Sequence, residues 1–322
     1  MHSEAIAHPN IALIKYWGNR DDELRIPANG SISLTLAGLD NQMSVRLEQG
    51  LEADSLTING DPAGSEMLHR ASQQLDLMRA VAGIETRAQI QSTTNFPMGA
   101  GLASSAAAFA ALTVAAASAL GLKLDKQSLS RFARRGSGSA ARSIHGGYVE
   151  LLAGETDQES YAHQIAPPDH WQLIDLVVLI DESAKHTSST AGHAVAATSP
   201  LQENRVADSP RRLETCRSAI LARDFEALAE VVEKDSDLMH SVMMTSEPPL
   251  HFLTADTQNL MATVRNLRSQ GLSVCYTVDA GPNVHCLCLP ESEDSVVSAL
   301  TDDKDHSWKL LRAHSGRAAR VV

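Results

Sequence analysis

Asn95-Phe96-Pro97-Met98-Gly99-Ala100-Gly101-Leu102-Ala103-Ser104-Ser105-Ala106 is a turn of small residues that opens directly into a helix-forming segment, Ser104 to Leu120, closed by Gly121. Small residues let the backbone turn tightly and approach a ligand. The free amide N–H groups of a helix start and the positive end of its dipole then face one place, which suits a phosphate. Ser104 and Ser105 add hydroxyls for phosphate oxygens or a metal. No Lys-Ser/Thr follows the glycines, so this is not a Walker loop. The plainer alternative is a helix-opening turn whose small residues serve packing.

Outward from this turn the chain reads as mixed strands and helices. On the N-terminal side, Asn10 to Trp17 is apolar and β-branched, and Gly18 to Asp22 reads as a polar turn. Ser31 to Leu36 and Met43 to Leu47 alternate with period two, the pattern of half-buried strands. Leu56 to Ile58 leads into Asn59-Gly60, a hairpin signal. A helix is expected over Ser65 to Val81, a strand over Arg87 to Ser92, and a helix over Lys126 to Arg134. Trp171 to Ile180 holds the apolar run of a buried strand. Helices are expected over Ala191–Thr198, Asn204–Ala222, Phe225–Met244 and Thr254–Gln270, and strands over Ser273–Asp279 and Val284–Leu289 end the expected core. Strands and helices mix without regular alternation, which predicts an α+β fold in two lobes, residues 1–183 and 184–322.

The chain has 322 residues, 43% hydrophobic and 20% charged, ample for a buried core and unlike a disordered chain. Its formal net charge of −12 argues against a general nucleic-acid or anionic-membrane binder, but leaves room for a small anionic substrate held by a few local cations. Cys216, Cys275, Cys286 and Cys288 form no CxxC pair and read as buried free thiols of a reducing compartment. The start, Met1-His2-Ser3-Glu4, lacks signal-peptide design, and Ala106 to Leu122 is a weak candidate for a membrane span. The expectation is a cytoplasmic protein.

Three further stretches carry chemistry. Arg134-Arg135-Gly136-Ser137-Gly138-Ser139-Ala140-Ala141-Arg142-Ser143 sets three fork-shaped donors among small hydroxyl residues, either an anion site or a loop with solvated arginines. In Thr277-Val278-Asp279-Ala280-Gly281-Pro282-Asn283 an acid ends a strand before a Gly-Pro turn, where it either caps the turn or projects into a cleft. Lys15, within Ile14-Lys15-Tyr16-Trp17, is either a snorkelling edge residue or a buried cation with a partner.

Taken together, these stretches resemble the ATP-dependent mevalonate diphosphate decarboxylases of the GHMP kinase superfamily. Asn-Ile-Ala-Leu-Ile-Lys-Tyr-Trp-Gly, Gly-Leu-Ala-Ser-Ser-Ala, Arg-Arg-Gly-Ser-Gly-Ser-Ala and Asp-Ala-Gly-Pro-Asn occur in the family's order between residue 10 and about residue 285. Glu233-Lys234-Asp235-Ser236 through Glu247-Pro248-Pro249 is similar to its later helix and turn. The resemblance implies a cleft between two lobes in which ATP phosphorylates the tertiary hydroxyl of a 5-phosphorylated mevalonate, and loss of that phosphate drives decarboxylation. It implies ATP with Mg2+ on Gly99, Ala100, Gly101, Leu102, Ala103, Ser104 and Ser105, with Ser105 the metal-side hydroxyl. Asp279, Arg142 and Lys15 would be catalytic; Tyr16, Asn19, Ser137, Ser139 and Arg142 would bind substrate. A homodimer is common in that family.

Departures set the substrate expectation. Asn19 stands where the family writes lysine, Gly30 replaces a serine, Ala141 a cysteine, and Arg25 enters the turn before Pro27. A cation lost beside the substrate's tail favours the less charged mevalonate 5-phosphate, giving isopentenyl phosphate. Mevalonate 5-diphosphate is the alternative, restored where Arg20 or Arg25 supplies the missing charge. A 3-kinase without decarboxylation and a non-catalytic ligand-binding homologue are the remaining readings.

Overall fold

The computed structural model describes residues 1–97, 101–181, 188–301 and 308–322. The chain runs β1 (His2–Ala7), β2 (Asn10–Ile14), the ribbon β3 (Asn19–Asp21) and β4 (Ile26–Pro27), β5 (Ser31–Ala37), β6 (Asn41–Leu47), β7 (Ser55–Ile58) and β8 (Asp61–Pro62). Helix α1 (Ser65–Ala82), β9 (Ala88–Thr94), α2 (Ser104–Ala119), α3 (Lys126–Gly136), the short α4 (Ala140–Ser143), β10 (Tyr148–Leu151), β11 (Ala162–Ala166) and β12 (Ile174–Leu179) follow. Then come α5 (Ser189–Val195), α6 (Gln202–Ala207), α7 (Ser209–Ala222), α8 (Phe225–Thr245), α9 (Ala255–Ser269), β13 (Val274–Val278), β14 (Val284–Cys288), α10 (Glu293–Thr301), β15 (Lys309–Ser315) and β16 (Arg320–Val321). The fold is α+β.

Six strands form one sheet in the order β16-β1-β6-β9-β7-β8, antiparallel except for the parallel β7–β9 pair. Helix α2 packs on β1 and β6 and is flanked by α1, α3 and α4. It is buried nearly all round, with Ala106, Ala107, Ala110, Ala111, Ala115 and Ala116 fully inside. Alanine explains this geometry: a helix with neighbours on every side needs short side chains for its backbone to approach them. The second sheet runs β11-β10-β5-β15-β12-β14-β13, with β2 beside β5. Its β12–β14 face packs on α9 and α10 through Val264, Leu267, Val296 and Leu300, while Ile11, Val177, Cys275 and Leu287 meet Ile220, Leu228 and Val232 of α7 and α8 in a separate core.

Several expectations change. Asn19–Asp21, expected as a turn, is a short strand paired with β4. Ser31 to Leu36 is not half-buried: its polar side is covered too, with Ser31 accepting from Arg142 and the Thr35 hydroxyl donating to the His145 carbonyl. The helix expected over Asn204–Ala222 is two, since Pro210 can begin a helix but cannot continue one. The core does not end at Leu289, because β15 runs between β5 and β12. Only Leu310, Leu311 and Ala313 of β15 carry apolar character, so its sequence does not announce a central strand. The expected lobe boundary at 183/184 lies outside the described residues. All four cysteines are buried and free.

The packing of α2 yields a stability prediction. Ala111→Leu overfills a site with no accessible surface and should cost about 1–3 kcal/mol, read as a lower urea midpoint at unchanged slope. Exposed Ser118→Ala should leave the midpoint in place.

Candidate active site

Strand β2 ends at Ile14, and the side chain of the next residue reaches Asp279, just past the end of β13. The Lys15 ammonium is 1% exposed and donates to Asp279 Oδ1 at 2.6 Å. Lys15 is thus the buried cation with a partner, rather than the snorkelling edge residue. Asp279 follows the last residue of β13, and its side chain keeps 24% exposure, so the carboxylate reaches the cavity, whose wall it shares with the nearly buried lysine. Burial pushes the Asp279 carboxyl up, but Lys15, His285 and Arg142 outweigh it, and the group sits below the ordinary aspartate value.

Arg142, on α4, is 2% exposed. Its Nε and Nη2 donate to Asn10 Oδ1 at 3.1 and 3.0 Å, and its Nη1 to Ser31 Oγ at 2.6 Å. Asn10 in turn donates to the Ser139 carbonyl and to Ser143 Oγ. Burial lowers the Arg142 pKa to about 10, with Asp279 and Tyr16 opposing the shift, so the guanidinium stays charged at neutral pH. Its influence on Asp279 is exerted through charge; its hydrogen bonds go elsewhere.

Cavity walls are formed by Lys15, Tyr16, Arg142 and Asp279, by Ser137, Gly138 and Ser139, and by Gly101 to Ser105. Gly99 and Ala100 lie outside the described residues. Helix α2 starts after Ala103, which is held at φ +50°, and no side chain caps it. Its first amides therefore open on the same space. Gly101 (φ +79°) meets Gly281 at 3.4 Å from where a Cβ would stand, so the glycine turn packs on the turn that carries Asp279. Ser105 Oγ lies 3.2 Å from Ser137 Oγ, which lies 3.3 Å from Ser139 Oγ. A Cβ on Gly138 would stand 2.3 Å from the Tyr16 ring, so only glycine lets this loop close on the tyrosine.

Charge around the loop is distributed differently from the sequence expectation. Of the three arginines in Arg134 to Arg142, only Arg142 lines this cavity. Arg134 is buried against Asp157, and Arg135 lines a neighbouring cavity. Two other cations enter instead. Arg25 (φ +51°) donates from Nε to the Arg135 carbonyl, and Arg70 from Nη2 to the Gly136 carbonyl. The last carbonyls of α3 thus hold both, and both line the cavity. Burial lowers the Arg70 pKa, and the charge of Arg25 lowers it further. Arg20 points to the Gly154 carbonyl and lines none of it. Asn19 does not line the cavity either; it accepts the Tyr16 hydroxyl and donates to Asp22 Oδ1. Burial pushes the Tyr16 phenol up to about 12.

Sequence reading missed Arg70 and His193. Arg70 lies on α1 with no motif around it. His193 stacks on Tyr16 at 4.2 Å between ring centroids, and its Nδ1 accepts the Gly18 N–H. The hydroxyl-rich Ser188-Ser189-Thr190 at the start of α5 was the available signal for this wall.

A family model described as the diphosphomevalonate decarboxylase-like N-terminal domain matches residues 7–162, and one described as the mevalonate 5-diphosphate decarboxylase C-terminal domain matches residues 175–316. A diphosphomevalonate decarboxylase of Candida albicans is 37% identical over 96% of this chain and 91% of its own length; the human one is 34% identical over 90% and 78%. Among solved structures, mevalonate diphosphate decarboxylase from Staphylococcus aureus is 35% identical with a TM-score of 0.95, covering 100% of this chain and 98% of that one. A structure described as MDDEF in complex with MVAPP, AMPPCP and magnesium is 34% identical with a TM-score of 0.94, covering 100% and 99%.

The Lys15–Asp279 pair sets a pH prediction. A carboxylate whose pKa is depressed on folding contributes stability above its ordinary value, and that contribution is lost as the pH falls through the folded value. In Lys15→Met the leading opponent of burial is gone, so the Asp279 pKa should rise and the stability that its depression contributes above the ordinary aspartate value should shrink, leaving less to be lost in acid. Carbon-13 carboxyl NMR titration reads the shift directly; an unmoved Asp279 would contradict the pairing.

Proposed function

The chain belongs to the diphosphomevalonate decarboxylase family of the GHMP kinase superfamily, and from that premise we propose that it decarboxylates mevalonate 5-diphosphate at the expense of ATP, giving isopentenyl diphosphate, ADP, phosphate and carbon dioxide. The observation that carries the reading is the Asp279 carboxylate, paired by a buried lysine and opening on a cavity shared with Arg142 and the start of α2. A tertiary alcohol is a poor nucleophile, so the rate depends on a positioned base and clustered cations. Asp279 takes the hydroxyl proton as the oxygen attacks the γ-phosphorus of ATP and ADP leaves. Lys15 stabilises the negative charge beside the reacting phosphate, and Arg142 orients the substrate carboxylate. When the new phosphate departs with its bonding electrons, the bond to the carboxylate breaks, carbon dioxide leaves, and that electron pair forms the alkene.

Among the described residues no group of three His, Cys, Asp or Glu side chains could hold a metal. Magnesium fits a different donor set, taking phosphate oxygens and water with one or two protein oxygens. The Ser104 and Ser105 hydroxyls at the start of α2 line the cavity and would be those donors, and the ion would neutralise phosphate charge there. Ser137, Ser139 and Tyr16 surround the substrate's phosphorylated arm.

Two features support the diphosphate over the monophosphate that Asn19 alone suggests: the names of the relatives, and Arg25, whose charge acts on Tyr16 and lines the cavity. One observation favours the monophosphate as a second reading. Asn19 is engaged by Tyr16 and by Asp22, so an acid stands near the position of the family's lysine. The proposal includes a homodimer in the cytoplasm with neither nucleic acid nor membrane as partner; among the described residues no helix is long and apolar enough to cross a membrane.

One assay tests the reading: each phosphorylated mevalonate with Mg2+ and ATP, following ADP and carbon dioxide together. Stoichiometric ADP and carbon dioxide from the diphosphate are expected. The same products from the monophosphate alone would establish the second reading, and ADP without carbon dioxide would make the protein a kinase. Asp279→Asn and Arg142→Ala should each abolish turnover in folded protein. Asn19→Lys should raise the preference for diphosphate over monophosphate; an unchanged ratio would mean that position 19 does not read the tail.

A further inference from the structure

The segment Glu233 to Ser236 was singled out by its sequence, yet Asp235 and Ser236 line no part of the cavity. Both are fully buried on α8, one turn before the equally buried His240. The Lys15 peptide has left the sheet at the end of β2, and its buried backbone groups need partners from elsewhere. Its N–H donates to Asp235 Oδ2 at 2.6 Å, while its carbonyl accepts from Arg205 Nη2 at 2.8 Å and Asn29 Nδ2 at 3.0 Å. Asp235 is itself fixed by Arg212, whose Nε donates to Oδ1 at 2.7 Å.

The next residue of α8 does the equivalent for the other reacting side chain. Among the described residues β14 is the only strand beside β13, so the other edge of β13 faces α8. Val278, the residue before Asp279, donates its N–H to Ser236 Oγ at 3.0 Å, and its carbonyl lies 3.2 Å from His240 Nε2. Burial and the charge of Lys15 lower the His240 pKa to about 4, so the ring is neutral at working pH and donates its Nε2 proton to that carbonyl. Successive residues of a helix point about 100° apart. Asp235 and Ser236 can therefore reach two different strands from one turn.

We propose that Asp235 and Ser236 are positioning residues for phosphoryl transfer, which set the meeting point of the Lys15 ammonium and the Asp279 carboxylate by holding the backbone that carries each. This rests on the reading of Lys15 and Asp279 as catalytic. Neither touches the reacting atoms. A buried, paired Asp235 is a costly way to accept one amide hydrogen bond. It defines the direction of the Lys15 peptide in a way that an apolar side chain cannot.

Asp235→Asn and Ser236→Ala test it in the full-length enzyme, with Ser236→Thr as the conservative rescue and the second position as insurance against misfolding at the first. A small displacement of reacting groups lowers kcat by about ten- to a hundredfold, and that loss is expected with KM for both substrates unchanged. Asp279 is faced by Lys15, Arg142, His285 and His240. Loosening Lys15 alone releases its hold on the carboxyl, so the acid limb of the kcat profile should move to higher pH. Ser236→Thr should recover the kcat lost in Ser236→Ala. Folded variants with wild-type kcat and acid limb would overturn the proposal, as would a loss that tracks the folded fraction and is not recovered by threonine. Asp279→Asn measured alongside separates the two levels. If it retains turnover, the reading of the site has failed; if it abolishes turnover while the α8 variants are silent, only this inference has failed.

Discussion

The hydrogen-bonded ion pair between Lys15 and Asp279 organises the centre of the molecule. An ammonium with almost no access to water is tolerable only beside an opposite charge, and a carboxylate at a cavity wall stays ionised only if something opposes its desolvation. Each requirement meets the other. The pair also joins parts of the chain separated by more than 260 residues, so β2, β13 and the glycine turns around them must all arrive in register. The close approach of Gly101 to Gly281 expresses the same constraint in the backbone.

A protein of net charge −12 nevertheless collects cations at one place. Arg142 is held by a neutral asparagine and a serine, and Arg25 and Arg70 by helix-end carbonyls. Among the described residues none of these three forms an ion pair, although the charge of Asp279 acts on Arg142 and that of Glu66 on Arg70. Bulk charge was a poor guide here because field strength inside a cleft depends on the nearest few groups and on the low polarizability of its walls.

Much of this was legible in the sequence where local chemistry is strong. The glycine turn before α2, Asp279 before Gly-Pro, and Lys15 within an apolar run announce themselves, because each departs from what a strand or helix needs for stability alone. Helices α1, α2, α3, α8 and α9 follow from periodicity and alanine content, whereas α4 was not expected and α6 and α7 were expected as one helix. Other parts depend on distance in space. Ser31, Ser33 and Thr35 look solvent-facing until α4 covers them. Arg70 sits in an ordinary amphipathic helix and becomes a cavity cation only because α3 ends beside it. In β15, exposed Lys309 and Arg312 interrupt the pattern, and nothing local marks the strand as central.

That strand has a consequence for how the two groups of strands are joined. Among the described residues, β15 is the only strand joining β11-β10-β5, with β2 beside it, to β12-β14-β13. Lys15 follows β2 in the first group, and Asp279 follows β13 in the second. A chain that lacks residues 309–315 has no ladder between the two groups of strands. Its β12 then presents an unpaired edge to every neighbouring chain. The two halves of the Lys15–Asp279 pair thus belong to strand groups that are spliced by a strand later in the chain than both of them.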